Sequence, residues 1–255
     1  PQQAREVKGS VTAAELPVAG MLLIDKPAGW TSHDCVAVLR KLFPRNTKVG
    51  HTGTLDPLAT GLLVALIGPC TKLQARLQGM DKVYSGTIRL GVKTDTGDIT
   101  GKATEEKPVQ ALDLARLKAE CAALVGTVES SAPAYSAVKH QGRPLYEYAR
   151  KGLEVPVKPR SSVVHSWEAL SWAAPELTHR LHCASGTYVR TLAEILGEKL
   201  GCGGTVSTLR RESVGPFLLT DALTLDATRA LAPAALALRL AASLPVLEAA
   251  LKAKP

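Results

Sequence analysis

Cysteine is scarce in this sequence, and its cysteines form no recognisable site. There are five, an odd number, and none of them forms a C-x-x-C pair. They are Cys35, Cys70, Cys121, Cys183 and Cys202. This spacing excludes a disulfide framework and a zinc cluster and is typical of the reducing cytosol, so a cytoplasmic location is expected. His179 and His182 are three residues apart but have no cysteine or carboxylate pattern beside them, so no metal site is predicted.

Long hydrophobic runs are also lacking. No run reaches the roughly eighteen apolar residues of a membrane-spanning helix. Residues 1–20 mix charged and polar side chains, so neither a signal peptide nor a membrane span is expected. The sequence contains no dinucleotide-binding fingerprint and no Walker motif, and Thr94–Asp98 lacks the full calcium-loop pattern and predicts a turn. We therefore expect no cofactor.

What the chain does have is positive charge. Its 255 residues carry a formal net charge of +8, and 45% of them are apolar, as in an ordinary globular protein with a full core. The pI is about 9.3. An excess of lysine and arginine is typical of proteins with a polyanionic partner, although solvated surface lysines produce the same balance. The length fits one large domain or two small ones.

Residues 48–68 carry the clearest candidate for chemistry. The first part, 50–56, is a loop of small residues that ends in a single carboxylate, Asp56. The second part, 62–67, is continuously apolar, and its short length favours a buried strand over a buried helix. Asp56 would then lie on a loop that opens onto the core. The alternative is a helix start, because an aspartate followed by a proline, here Pro57, often caps a helical turn.

The string from Gly50 to Leu62, GHTGTLDPLATGL, closely resembles the active-site motif of the TruB-type pseudouridine synthases. Enzymes of this family isomerise a uridine in the T-loop of tRNA, and the resemblance recurs at spaced points from Leu22 to Phe217. It implies an α+β fold with a mixed, largely antiparallel central sheet flanked by helices. It also implies a monomeric isomerase that needs no cofactor or metal, acts on the T-arm stem-loop of tRNA and has no membrane partner.

The resemblance assigns catalytic and pocket roles to five side chains. Asp56 would be the nucleophile, or the base and electrostatic partner of a cleaved intermediate; attack at C1′, attack at C6 and elimination through a glycal all stay open. Arg190 would pair with Asp56 and keep the carboxylate ionised in a dry pocket, where burial alone would raise its pKa. Tyr84 would contact the target base. Tyr188 and Leu209 would line the uracil pocket.

Other residues are expected to bind RNA around this pocket. By resemblance, His51 would occupy the space that the flipped base leaves, and Lys72 matches a basic position of the family. Residues 135–151 interleave basic side chains with tyrosines and resemble the family loop that grips the T-arm; stacking of a base on an aromatic ring contributes ~1–3 kcal/mol. The family usually has a glutamine and two prolines just upstream, where this chain keeps only Pro133. The basic residues predicted to contact RNA here are Lys139, Arg143 and Arg150, and the alternative is a solvated helix with its tyrosines inward.

The predicted elements form one catalytic domain. We expect a flexible tail over residues 1–20, this domain over 21–230, and a C-terminal helical segment over 231–255 without a PUA module. Helices are predicted over 33–43, 72–78 and 108–126, and strands over 82–90, 161–172, 176–184 and 205–209.

Two other classes of function stay open. One is an RNA-binding or RNA-folding chaperone with vestigial catalytic residues, against which the intact Asp56, Tyr84 and Arg190 argue. The other is a guide-RNA-dependent relative of dyskerin that acts within a protein–RNA particle. The run 196–203, LGEKLGCG, looks more like the stand-alone bacterial enzymes.

Overall fold

The computed structural model describes residues 18–153 and 155–252. The strands are β1 (Gly20–Lys26), β2 (Val49–Thr52), β3 (Thr60–Ile67), β4 (Lys82–Leu90), β5 (Val92–Thr94), β6 (Ala103–Glu106), β7 (Gly126–Ser130), β8 (Lys139–His140), β9 (Arg143–Pro144), β10 (Arg160–Ala173), β11 (Glu176–Cys183), β12 (Gly204–Val214), β13 (Phe217–Leu218) and β14 (Leu223–Thr224). The helices are α1 (Ser32–Arg40), α2 (Gln74–Gln78), α3 (Leu114–Ala122), α4 (Leu145–Ala149), α5 (Val189–Lys199), α6 (Leu225–Arg229) and α7 (Pro233–Lys252).

Ten of these strands form one mixed sheet. Its order is β14–β1–β3–β12–β4–β11–β10–β7, with β13 paired to β12 and β2 paired to β3. The pairs β1–β14 and β3–β12 are parallel, and the other pairs are antiparallel. The prediction of a mixed, largely antiparallel sheet flanked by helices is therefore confirmed.

The two ends of the sheet are covered differently. Around β1 and β3, apolar side chains of α1, α6 and α7 pack on one face, and those of α2 and the end of α7 pack on the other. Around β4, β10 and β11, α3 and α5 bury only one face, with Trp167, Leu181 and Leu196 in the core. The opposite face of these three strands carries side chains such as His165 and Arg180 that stay exposed. We call this second surface the open face.

Predicted and observed elements agree best where apolar patterning is strong. The strand over 82–90 is confirmed in full, and 62–67 is a strand buried on both faces. The bounds predicted for the helix over 108–126 were wrong, since the observed helix is Leu114–Ala122. Asp113 caps its start, and the Asp113 carboxylate accepts a hydrogen bond from the Arg116 N–H at 2.7 Å. The strand predicted over 205–209 continues to Val214.

The chain ends of the predicted domain are only partly described. Most of the predicted tail, residues 1–20, lies outside the described residues, and β1 already begins at Gly20. By length and composition alone, α7 could cross a membrane, with a mean hydropathy of 1.6. The sequence predicts no membrane span, because Arg239 and Glu248 interrupt the apolar run of this helix. Leu236, Leu240, Leu247 and Ala250 of α7 are nevertheless buried against the domain.

Candidate active site

The loop between β2 and β3 presents Asp56 without forming a helix. Residues 53–59 contain no helical turn, and the Ala59 N–H donates to the Asp56 carbonyl at 3.1 Å within a simple turn. The helix-start interpretation of Asp56 is therefore wrong. Its carboxylate caps nothing and points to another part of the chain.

Two side chains from the β1–α1 segment hold this loop in place. The hydroxyl of Ser32 accepts a hydrogen bond from the Leu55 N–H at 2.9 Å and donates to the Leu55 carbonyl at 3.2 Å. The fully buried Lys26 ammonium donates to the carbonyls of Pro27 and Trp30 at 2.9 and 2.6 Å and lies 3.4 Å from that of Pro57. These contacts on both neighbours of Asp56 fix the direction of its side chain.

Asp56 forms a two-point ion pair with Arg190. The Arg190 Nε lies 2.8 Å from Oδ2, and Nη2 lies 3.3 Å from Oδ1. Arg190 belongs to the first turn of α5, and its side chain is only 5% exposed. Its remaining N–H groups donate to the carbonyls of Thr96 at 2.6 Å and Tyr135 at 2.9 Å. Because the guanidinium is held from three sides, it fixes both oxygens of the carboxylate.

Burial and the ion pair act on the Asp56 carboxyl in opposite directions. Burial raises its pKa above 3.8, Arg190 opposes this rise, and Asp98 adds to it. The side chain still keeps 35% of its surface exposed, on the side that faces the cavity. The predicted ion pair is present, but it does not bring the pKa of Asp56 below its ordinary value.

A cavity of about 350 Å³ opens in front of this pair. Five of the residues singled out in the sequence line it together: Asp56, Tyr84, Tyr188, Arg190 and Leu209. Tyr84 and Leu209 come from β4 and β12, which are neighbours in the sheet, and Tyr188 immediately precedes α5. Asp56 is the one carboxylate among the described residues of the lining, and none of them is a histidine or cysteine. This donor set does not suit a metal ion.

Both tyrosines of the cavity are uncharged at neutral pH. Burial raises the pKa of Tyr84, and the neighbouring Arg211 guanidinium opposes that rise. Burial also raises the pKa of Tyr188, against a hydrogen bond with Ser136. A neutral phenol can donate a proton or stack on a base, whereas a phenolate would repel a nucleotide.

Two buried cations in the lining, Lys82 and Arg211, were missed in the sequence. Arg211 is 1% exposed, and it donates to the carbonyls of Leu62 at 2.7 Å and Gly53 at 3.0 Å. The Lys82 ammonium donates to the carbonyls of Gln78 at 2.6 Å and of Met80. Burial, helped by Arg211, lowers the pKa of Lys82 to about 8. Both could have been predicted from the alternation of side chains along a strand. Lys82 lies two residues from Tyr84, and Arg211 lies two residues from Leu209, so each pair points to the same face.

Other predicted RNA contacts lie outside the cavity. His51 on β2 packs edge-on against His33, with 5.8 Å between the ring centroids, and burial lowers its pKa to about 4. Lys72 is exposed on a short 3₁₀ helix. Lys139, Arg143 and Arg150 are exposed on the β8–β9 hairpin and just after α4. This segment adjoins the cavity, because residues 136–138 belong to its lining.

The segment 135–151 is a hairpin followed by one short helix, not the solvated helix of the alternative interpretation. The Arg150 guanidinium lies 5.2 Å from the centroid of the Tyr146 ring. The Tyr148 hydroxyl donates to the His140 carbonyl at 3.1 Å and so ties the helix to the hairpin. The exposed cations are thus displayed on a folded unit beside the cavity.

The chain matches the models of two known protein domains. Residues 40–189 match the model of the TruB family pseudouridylate synthase N-terminal domain, and residues 190–251 match that of the tRNA pseudouridylate synthase B C-terminal domain. A relative from Aromatoleum aromaticum, named tRNA pseudouridine synthase B, is 48% identical over 84% of this chain and 69% of its own length. A relative of the same name from Opitutus terrae is 47% identical over 83% of this chain and 88% of its own.

Solved structures share the fold at lower identity. One chain of a Cbf5–Nop10–Gar1 complex superposes with a TM-score of 0.64 at 24% identity, over 88% of this chain and 59% of that one. A chain of an H/ACA RNP bound to a substrate RNA containing 2′-deoxyuridine gives a TM-score of 0.60 at 24% identity, over 81% and 51%. The present chain thus spans little more than half the length of these two.

The family model and the named relatives identify the chain as a pseudouridine synthase, which is an isomerase. Within that class, the two family models together cover most of the chain, and the chain belongs to the TruB family.

Proposed function

We propose that this TruB-type enzyme converts a uridine in the T-loop of tRNA into pseudouridine and that Asp56 is the group that acts on the substrate. The observation that supports this most is the position of Asp56. It is one carboxylate at the wall of a nucleotide-sized cavity, held at both oxygens by the buried Arg190 and flanked by Tyr84. Cavities that bind small ligands have volumes of about 300–1,000 Å³.

The target uridine has to leave its stack to reach this cavity. Flipping a nucleotide costs a few kcal/mol. Besides Arg190, the lining holds three cations, Lys82, Arg160 and Arg211, and one carboxylate. This excess of positive charge would attract the phosphate of the flipped nucleotide, with Lys82 and the exposed Arg160 as its direct partners. The exposed cations Lys139, Arg143 and Arg150 would meet further phosphates of the T-arm and so offset the cost of flipping.

The reaction exchanges one bond of the uracil ring for another. The bond from N1 to C1′ breaks, a bond from C5 to C1′ forms, and the proton of C5 is lost while N1 gains one, so no oxidant or group donor is consumed. The Asp56 carboxylate would act as nucleophile or as base, and it serves attack at C1′, attack at C6 and elimination through a glycal equally well. Tyr84 and Leu209 would hold the ring between β4 and β12.

We further propose that the enzyme acts as a monomer in the cytoplasm, without a guide RNA. The supporting observation is that one chain supplies the carboxylate, the arginine that binds it, both tyrosines and the three further cations of the cavity. The dyskerin-like alternative requires a guide particle, so an isolated T-arm stem-loop distinguishes the two. The chaperone alternative predicts binding without any product.

The substitution Asp56→Asn tests this proposal. It keeps the side-chain shape and removes the ionisable carboxylate. Pseudouridine formation on a T-arm stem-loop should fall below detection, while the melting temperature and the RNA affinity stay near those of the wild type. Asp113→Asn is the matched control, because asparagine caps α3 about as well as aspartate, and it should leave activity unchanged.

Retained activity of Asp56→Asn would contradict the role of Asp56. A wild-type protein that binds the stem-loop but forms no pseudouridine would favour the chaperone. Activity that appears only after a guide particle has been rebuilt would favour the dyskerin-like class.

A further inference from the structure

Three potential metal ligands meet on the open face of the sheet, away from the catalytic cavity. They are Asp81, His165 and His182, and their ligand atoms all lie within 4.8 Å of one another. The Nε2 atoms of His165 and His182 lie 3.1 and 3.9 Å from the Asp81 Oδ2. The side chains are 36–43% exposed. None of them belongs to the lining of the catalytic cavity.

The convergence of these side chains is built into the sheet. His182 on β11 pairs with Val83 of β4, so its side chain stands near the start of β4, where Asp81 precedes the strand. His165 is the extra residue of a bulge in β10, between the pairs Val164–Cys183 and Ser166–His182. A bulge redirects a side chain. Here the two imidazole rings come to a centroid separation of 4.6 Å.

The geometry points to a binding site for a divalent transition-metal ion with two histidine ligands and one carboxylate ligand. Zinc is bound by histidine nitrogen and carboxylate oxygen at about 2.0–2.2 Å, which places neighbouring ligands of a tetrahedral ion about 3.4 Å apart. The observed separations of 3.1 and 3.9 Å between the Asp81 Oδ2 and the two Nε2 atoms bracket that value, and the ligand atoms of the two histidines lie within 4.8 Å of each other. Water would complete the coordination on the exposed side.

The chemistry of the ligands sets the order of preference. Imidazole suits zinc, copper and nickel, whereas magnesium prefers sites made of oxygen ligands alone. Affinity should therefore rise from manganese through nickel to copper, with zinc below copper and magnesium without effect. A bound ion would join the residue before β4 to both β10 and β11, and it would stabilise the folded protein because the unfolded chain does not preserve the site.

The experiment is a calorimetric titration of tag-free, chelator-treated protein with zinc chloride. The wild type should bind one ion, and each of His165→Ala, His182→Ala and Asp81→Asn should weaken binding at least tenfold. His140→Ala is the matched control and should bind like the wild type, because His140 lies on the β8–β9 hairpin away from the cluster. Zinc should raise the melting temperature of the wild type and of this control, with little effect on the three cluster variants.

Cobalt(II) provides a second measurement that does not depend on variants. Bound by two imidazoles and a carboxylate, it should give visible absorption bands without the strong near-ultraviolet band of a cobalt–thiolate bond. No zinc binding by the wild type would overturn the proposal. The proposal would also be overturned if the three cluster variants bound zinc as tightly as the wild type. A cobalt–thiolate band would overturn it as well, because it would place the ion on one of the cysteines. Pseudouridine formation by His165→Ala should equal that of the wild type with or without zinc, so this result stands apart from the test of Asp56.

Discussion

Lys82 is the cavity residue whose charge changes most between neutral and mildly alkaline pH. Burial lowers its pKa from 10.5 to about 8. Its neutral form is therefore favoured in the folded protein relative to the unfolded chain. The group loses its proton in the folded state as pH rises through about 8, and any interaction of its positive charge with a phosphate is lost over the same range.

We expect the affinity for a T-arm stem-loop to fall roughly 5- to 10-fold between pH 7 and about pH 8.8, because each pH unit above the pKa lowers the charged fraction about tenfold. Lys82→Arg should flatten this dependence, since arginine stays protonated throughout. Lys72→Arg, the same change at an exposed lysine, should leave it as in the wild type. Equal pH dependence in both variants would exclude Lys82 as a phosphate contact.

Residues of the cavity differ in how far the sequence predicts them. The motif around Asp56 and the alternation of β4 placed Tyr84 on the buried face, and the structure brings Asp56, Tyr84 and Arg190 to one cavity. Lys82 could have been predicted from its spacing to Tyr84. The cluster on the open face could not, because His165 reaches His182 through a bulge, and a bulge has no fixed signature in one sequence.

The catalytic loop, which carries Asp56, is held in place by the elements around it and has no helix or strand of its own. The loop lies between β2 and β3, and the start of α1 holds it through the buried Ser32. The strands at 62–67 and 82–90 were predictable because their apolar patterns are strong. The hydrogen bonds between Ser32 and Leu55 were not predictable, because they join residues 23 positions apart through a hydroxyl that is common at helix starts.

Ser32→Ala should loosen the catalytic loop. It leaves the Leu55 N–H without its side-chain acceptor, at a cost of about 1–3 kcal/mol in unfolding free energy. Turnover should fall by more than RNA affinity, because Asp56 follows Leu55 directly and loses its fixed direction. Denaturant unfolding and single-turnover kinetics on the stem-loop measure the two effects. Ser171→Ala, at an exposed strand position, is the control and should change neither quantity.

A stability loss in Ser32→Ala with unchanged single-turnover rate in the folded protein would restrict these hydrogen bonds to a structural role. A lower single-turnover rate with an unchanged free energy of unfolding would mean that Ser32 fixes the position of the catalytic loop but does not stabilise the domain.

For the whole molecule, the uneven covering of the sheet separates the functions of its parts. The helix-covered face of β4 and β12 carries the cavity, and the hairpin with its exposed cations stands beside the cavity mouth. The open face carries the histidine–aspartate cluster instead. The net charge of +8 is a property of the entire chain and does not show where RNA binds. The RNA-binding surface can be located by comparing the salt dependence of RNA affinity among charge-removing variants.

Wild-type binding to the stem-loop should weaken steeply with salt, because each phosphate contact adds about −0.7 to −0.9 to the slope of log affinity against log salt concentration. Replacing Lys139, Arg143 and Arg150 together by glutamine should make that slope shallower by about 2 to 3. The matched control replaces three other cations by glutamine and so changes the net charge equally. They are exposed, lie outside the cavity lining, and are Lys107, Arg116 and Lys118.

If both triple variants change the slope by the same amount, RNA affinity depends only on the total charge of the protein, and the hairpin is not the RNA contact surface. A wild-type slope near zero would exclude a phosphate-binding surface altogether.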